Sequence, residues 1–95
     1  LWSTRESFHI KHPGAEEGFK QALASPQKPV LINETSDNPG AGGPGDGTHL
    51  LKVMIEKNEP GTVFFHIADP ETVAAAHAAG KGKEINIKLG GKTDT

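Results

Sequence analysis

Cysteine is missing altogether. A disulfide scaffold, a thiolate zinc site and a cysteine nucleophile are therefore excluded. Aromatics make up only 5% of the 95 residues and hydrophobic residues 34%, both low for a globule that must stabilise itself. Neither charge sign dominates: 10 basic residues stand against 12 acidic ones, a net charge of -2 with histidine neutral. Nucleic acid and membrane surfaces call for a basic face, so neither is expected as a partner. No apolar run approaches the roughly 20 residues of a membrane span. No signal peptide is visible, and the chain opens on Leu1 and stops at Thr95 just after a Gly-Gly pair. The expectation is a cytoplasmic piece of a longer protein, forming a single domain over residues 1–95.

Glycine and proline are what the chain has in quantity, 12 and 7 residues, so much of it must be turn and loop. Residues 1–12 carry Trp2, Phe8 and Ile10 among charges and read as a lead-in, broken by Pro13-Gly14. Residues 15–24 show helical spacing, with Ala15, Phe19, Ala22 and Leu23 on one face and Glu16 and Glu17 in the first turn. Ser25-Pro26 stops that helix. A second helix is expected over about 48–57, with Leu50, Leu51, Met54 and Ile55 as its apolar stripe, ended by Asn58, Pro60 and Gly61. Asp69-Pro70-Glu71 opens a third, alanine-rich helix that runs to about Ala79 and closes on Gly80.

Between the helices lie three apolar runs, at residues 30–32, 63–67 and 84–89. The first two read as buried strands, and the third alternates Ile85, Ile87 and Leu89 with Asn86 and Lys88. The expected fold class is therefore α/β: a small three-layer unit with a mainly parallel sheet of about three strands and three helices.

The strongest local signal is the loop over residues 37–48, which holds Gly40, Gly42, Gly43, Gly45 and Gly47 with Pro39 and Pro44. It follows an expected strand and opens a helix, the place where parallel sheets bind ligands. Glycines let a backbone approach a ligand, and a helix start offers free N–H groups. No Lys-Ser/Thr pair follows the glycines, so this is not a P-loop, and the dinucleotide fingerprint fails as well. Asp37 and Asn38 can hold a ligand or cap a turn, and both readings stay open. Asp46 reads first as a cap of the second helix. The five histidines, His9, His12, His49, His66 and His77, show no HExxH or comparable spacing. His49 and His66 are the two that can lend a single ligand to a site completed elsewhere. No Ser/His/Asp triad is arguable, although Ser36 adjoins the loop. Lys92, after Gly90-Gly91, can meet a carboxylate or phosphate, or be an ordinary solvated lysine.

Taken together, the run Thr35-Ser36-Asp37-Asn38-Pro39-Gly40-Ala41-Gly42-Gly43-Pro44-Gly45-Asp46-Gly47-Thr48 resembles the signature of the C-terminal region of the microcystinase C (MlrC) family. So do Ile67-Ala68-Asp69-Pro70-Glu71, the alanine-rich stretch that follows, and Leu89-Gly90-Gly91-Lys92. Trp2, Arg5 and Phe8 fit the family's W-x-x-R-x-x-F lead-in. The resemblance implies a zinc-dependent hydrolase of peptide-like substrates, including linearised cyclic peptides in the type member. It also implies that the zinc ligands lie in an N-terminal metal-binding domain of the same protein. Zinc is thus expected in the full-length protein, with none bound by this chain and no catalytic residue or metal ligand in it.

What carries over is a substrate-facing role for the loop, through Asp37, Asn38, Gly40, Gly42, Gly43, Asp46 and Thr48. The chain alone is expected to be inactive, and a homo-oligomer is possible. The alternatives are a non-enzymatic module that holds an anion or small metabolite on the glycine loop, and a purely structural domain.

Overall fold

A computed structural model describes residues 1–93. The chain folds as two units, Leu1–Ile32 and Asn33–Thr95.

The first unit begins with a 3-10 helix over Trp2–Phe8, whose Arg5 guanidinium lies 4.8 Å from the centre of the Trp2 ring. That contact is a cation–π pair at an exposed site. Helix α1 spans Ala15–Ala24, as the apolar spacing requires, and ends at Ser25 in extended backbone. Phe19 is its one buried residue. Lys28 curls back and donates its Nζ to the Ala22 carbonyl at 2.7 Å, satisfying an orphan acceptor at the helix end.

The second unit carries a short 3-10 turn over Pro39–Ala41, helix α2 over His49–Lys57 and helix α3 over Pro70–Ala79. Helix α2 stops where Asn58 adopts left-handed backbone (φ 46°, ψ 42°). Helix α3 starts as its sequence dictates: Asp69 caps it by accepting the Thr72 amide at 3.0 Å, and Pro70 fills the first position.

The expected α/β architecture is not found. Among the described residues there are helices and irregular segments, with no strand and no sheet. Residues 30–32, 63–67 and 84–89 all lack ladder partners. Leu31, Val63 and Phe65 are 90%, 85% and 95% exposed, the reverse of a buried strand. The three-layer unit falls with the sheet, since no residue of the alanine-rich α3 is buried. The reason is physical: an apolar run makes a segment fit for a ladder, but a strand exists only when a neighbour supplies the other half of its hydrogen bonds. Phe19 and Val53 are the only buried hydrophobic residues described.

Candidate functional site

Polar contacts, more than apolar packing, organise the second unit. Three carboxylates, Asp37, Asp46 and Asp69, each gather backbone amides, Asp37 from its own loop and the other two from residues 90–93.

Asp37 faces its own loop. Its Oδ1 accepts the Gly45 amide at 2.7 Å and its Oδ2 the Gly47 amide at 2.6 Å. A Cβ at position 47 would lie 2.9 Å from that same Oδ2, so the close approach selects glycine. Asn38 caps the 3-10 turn by accepting the Gly40 amide on Oδ1 at 2.9 Å, while its carbonyl receives the Gly43 amide at 2.9 Å. Gly42 closes the turn in left-handed backbone at φ 95°.

Asp46 is buried, 6% exposed, and its Oδ2 accepts the amides of Lys92 and Thr93 at 2.8 and 2.9 Å. Its carbonyl takes the Gly91 amide at 2.7 Å. The Lys92 amide foremost, then that of Thr93, holds the Asp46 carboxyl below its ordinary pKa against the opposing effect of burial. Asp46 does not cap α2. Thr48 stands at that position, with no side-chain capping bond, and the Asp46 carboxylate is committed to residues 92–93.

Asp69 is 5% exposed and serves two tasks at once. It caps α3, and its Oδ2 accepts the Gly90 amide at 2.9 Å. Its Oδ1 pairs with Lys92 Nζ at 3.0 Å, and the same ammonium reaches Glu71 Oε2 at 3.0 Å. The Gly90 and Thr72 amides hold the Asp69 carboxyl far below the usual carboxylate range, and the bond to Asp69 raises the Lys92 pKa in turn. A Cβ on Gly90 would sit 2.5 Å from the Asp46 carbonyl oxygen, and its φ is 62°, so only glycine fits the crossing. Lys92, left between a solvated and a paired role by its sequence, is the paired one.

Beside this knot opens a cleft of about 300 Å³, lined by Glu34, Ser36, Asp37, Asp46, Gly47, Thr48, His49 and Gly91. Of the residues given a substrate-facing role from the sequence, Asp37, Asp46 and Thr48 meet there. Gly40 lies in the 3-10 turn, Asn38 and Gly42 cap it and Gly43 follows it, and none of the four lines the cleft. Glu34, Ser36 and His49 complete the wall. Glu34 accepts both the hydroxyl and the amide of Ser36, which hold its carboxyl below the ordinary value. Glu34 carried no signal in the sequence. His49 and Ser36 did, through their place beside the glycine loop.

The geometry weighs against an anion seated on the glycine loop. The Gly45 and Gly47 amides that would cradle it already donate to the Asp37 carboxylate, so the loop carries its own anion. No group of three His, Asp or Glu side chains among the described residues is placed to hold a metal ion, so the residues present do not fit a zinc centre. No helix among them is long and apolar enough to cross a membrane.

Residues 32–95, which hold the Gly-rich loop, helices α2 and α3 and the carboxylate–amide knot, match the family model described as MlrC C-terminus. The chain belongs to this family. It is similar to Microcystinase C of a Sphingomonas species, at 32% identity over 87 residues. That alignment covers 87% of this chain and 17% of the relative, so the chain spans well under a fifth of that protein's length. No solved structure matches the chain.

Proposed function

We propose that this chain is the C-terminal part of a zinc-dependent peptide hydrolase of the microcystinase C type, and that its second unit supplies one wall of the substrate cleft. One observation supports this reading: the match to the MlrC C-terminus over residues 32–95 coincides with the compact unit that starts at residue 33, so the knotted unit lies wholly inside the family region.

In this reading the three aspartates are the frame. Asp37, Asp46 and Asp69 commit their oxygens to amides and to Lys92, which fixes the backbone of residues 45–47 and 90–93. Substrate meets the outer wall, where the Thr48 hydroxyl and the His49 imidazole offer hydrogen bonds to peptide groups and Glu34, held ionised by Ser36, faces a positive or N–H-bearing group. The metal and the hydrolytic step belong to an N-terminal domain of the full-length cytoplasmic protein. Zinc bound there would polarise the scissile carbonyl and supply an activated water.

The test is the full-length protein on linear peptides. Hydrolysis that a chelator abolishes and zinc restores is expected, together with a raised KM in His49→Ala at little cost in kcat. Absence of metal-dependent hydrolysis across a peptide panel would refute the proposal.

A second reading, a purely structural unit, is favoured by the internal bonds to both Asp37 oxygens and to Asp46 Oδ2. Unchanged kinetics in both His49→Ala and Thr48→Ala, with hydrolysis intact in the wild type, would select it.

A further inference from the structure

We infer that residues 63–67 form a docking edge covered, in the full-length protein, by a segment of the chain that precedes this C-terminal region. The inference rests on the reading of this chain as one part of a longer hydrolase. Val63 and Phe65 are 85% and 95% exposed, two positions apart, in a stretch of second-unit chain that also carries Phe64 and Ile67. Among the described residues the amides of residues 63–67 donate to no carbonyl of the chain, and the first one that does is Ala68, to Gly45 at 2.7 Å. The edge thus sets apolar side chains in water beside main-chain groups whose donors bond to solvent and stay available to a partner.

The knot holds this edge in place from one end. Ala68 is tied to Gly45, and Asp69 to Gly90 and Lys92, so residues 63–67 run out from a fixed anchor. An anchored, apolar, unpaired segment is what an extended partner segment recognises: main-chain bonds give affinity and alternate apolar side chains give register. The occupant is argued from length. The chain spans 17% of its microcystinase C relative, and its family region is a C-terminus, so most of such a protein precedes it. Val53 is the only buried hydrophobic residue described in this unit, so its apolar positions are largely uncovered.

Hydrogen exchange on the full-length protein tests the edge, read at the amides of residues 63–67 against those of the exposed Lys81 and Gly82. Exchange about 100-fold or more below the free-chain rate at 63–67, independent of protein concentration, is expected. Phe65→Ser should bring those amides back toward the free-chain rate while the α3 amides stay protected. Free-chain exchange at 63–67 in the wild type would overturn the inference, and so would protection that grows with concentration, which would assign the edge to a second copy. Peptide hydrolysis measured on the same sample separates the two proposals: activity with an unprotected edge removes the docking inference alone, and protection without activity removes the hydrolase reading alone.

Discussion

Asp46 receives the backbone amide of Lys92 at 2.8 Å, joining two points 46 residues apart in the chain. The same oxygen holds Thr93, and the Lys92 side chain turns back to Asp69 and Glu71. Residues 90–93 are thereby clamped at the mouth of the cleft, with Gly91 in its wall.

Removing that clamp should be costly. Asp46→Ala in the full-length protein leaves the Lys92 and Thr93 amides without their acceptor, and an unsatisfied donor costs more than a lost bond gains. A melting temperature lowered by several degrees is expected, with Asp46→Asn falling between the two because it keeps one acceptor oxygen. Identical melting curves for wild type and Asp46→Ala would show that the clamp does not matter.

Acid should weaken the knot. Asp46 and Asp69 both titrate below the ordinary aspartate value of about 3.9 because backbone amides stabilise their charged forms. The folded chain therefore binds fewer protons than the unfolded one near that pH. Their stabilisation is complete above it and is lost as the pH falls through the folded values. Denaturant midpoints should hold steady from pH 7 to about 5 and decline below about pH 4, with a shallower decline in Asp69→Asn. Parallel pH curves for the two proteins would exclude Asp69 as a source of the slope.

The glycine pair at the clamp offers a paired comparison. Gly90 and Gly91 both have positive φ, 62° and 58°, yet a Cβ at Gly90 meets the Asp46 carbonyl while one at Gly91 meets nothing within 4 Å. Gly91→Ala should cost about 1–2 kcal/mol for the left-handed backbone alone. Gly90→Ala carries the same cost plus the clash and should be clearly the worse of the two. Equal unfolding free energies would contradict the close crossing of residues 46 and 90.

At the cleft wall the expected signature is kinetic. Ser36→Ala removes the hydroxyl and leaves the amide bond to Glu34, so the Glu34 pKa should rise toward its ordinary value. If Glu34 meets substrate in its ionised form, the KM of Ser36→Ala should then increase at acidic pH more than at pH 7. A KM that rises equally at both pH values would point to a direct Ser36 contact, and no change would detach Glu34 from binding.

Helix positions were legible in the residues because caps act locally. Asp69, Pro70 and Glu71 open α3, Asn58 and Gly80 end their helices, and Ser25-Pro26 ends α1, each through bonds within a turn or two. The glycine loop was legible as a special backbone, and the family as a resemblance that the comparison bears out. Tertiary structure alone decided the rest. Whether residues 30–32, 63–67 and 84–89 become strands depends on a neighbouring chain segment, and the pattern of side chains cannot supply one. Likewise, an aspartate looks the same in sequence whether it awaits a ligand or already holds an amide. Beyond the local cap of Asp69, the three aspartates Asp37, Asp46 and Asp69 accept amides from 8 to 47 residues away, and only folding brings those donors within 3 Å.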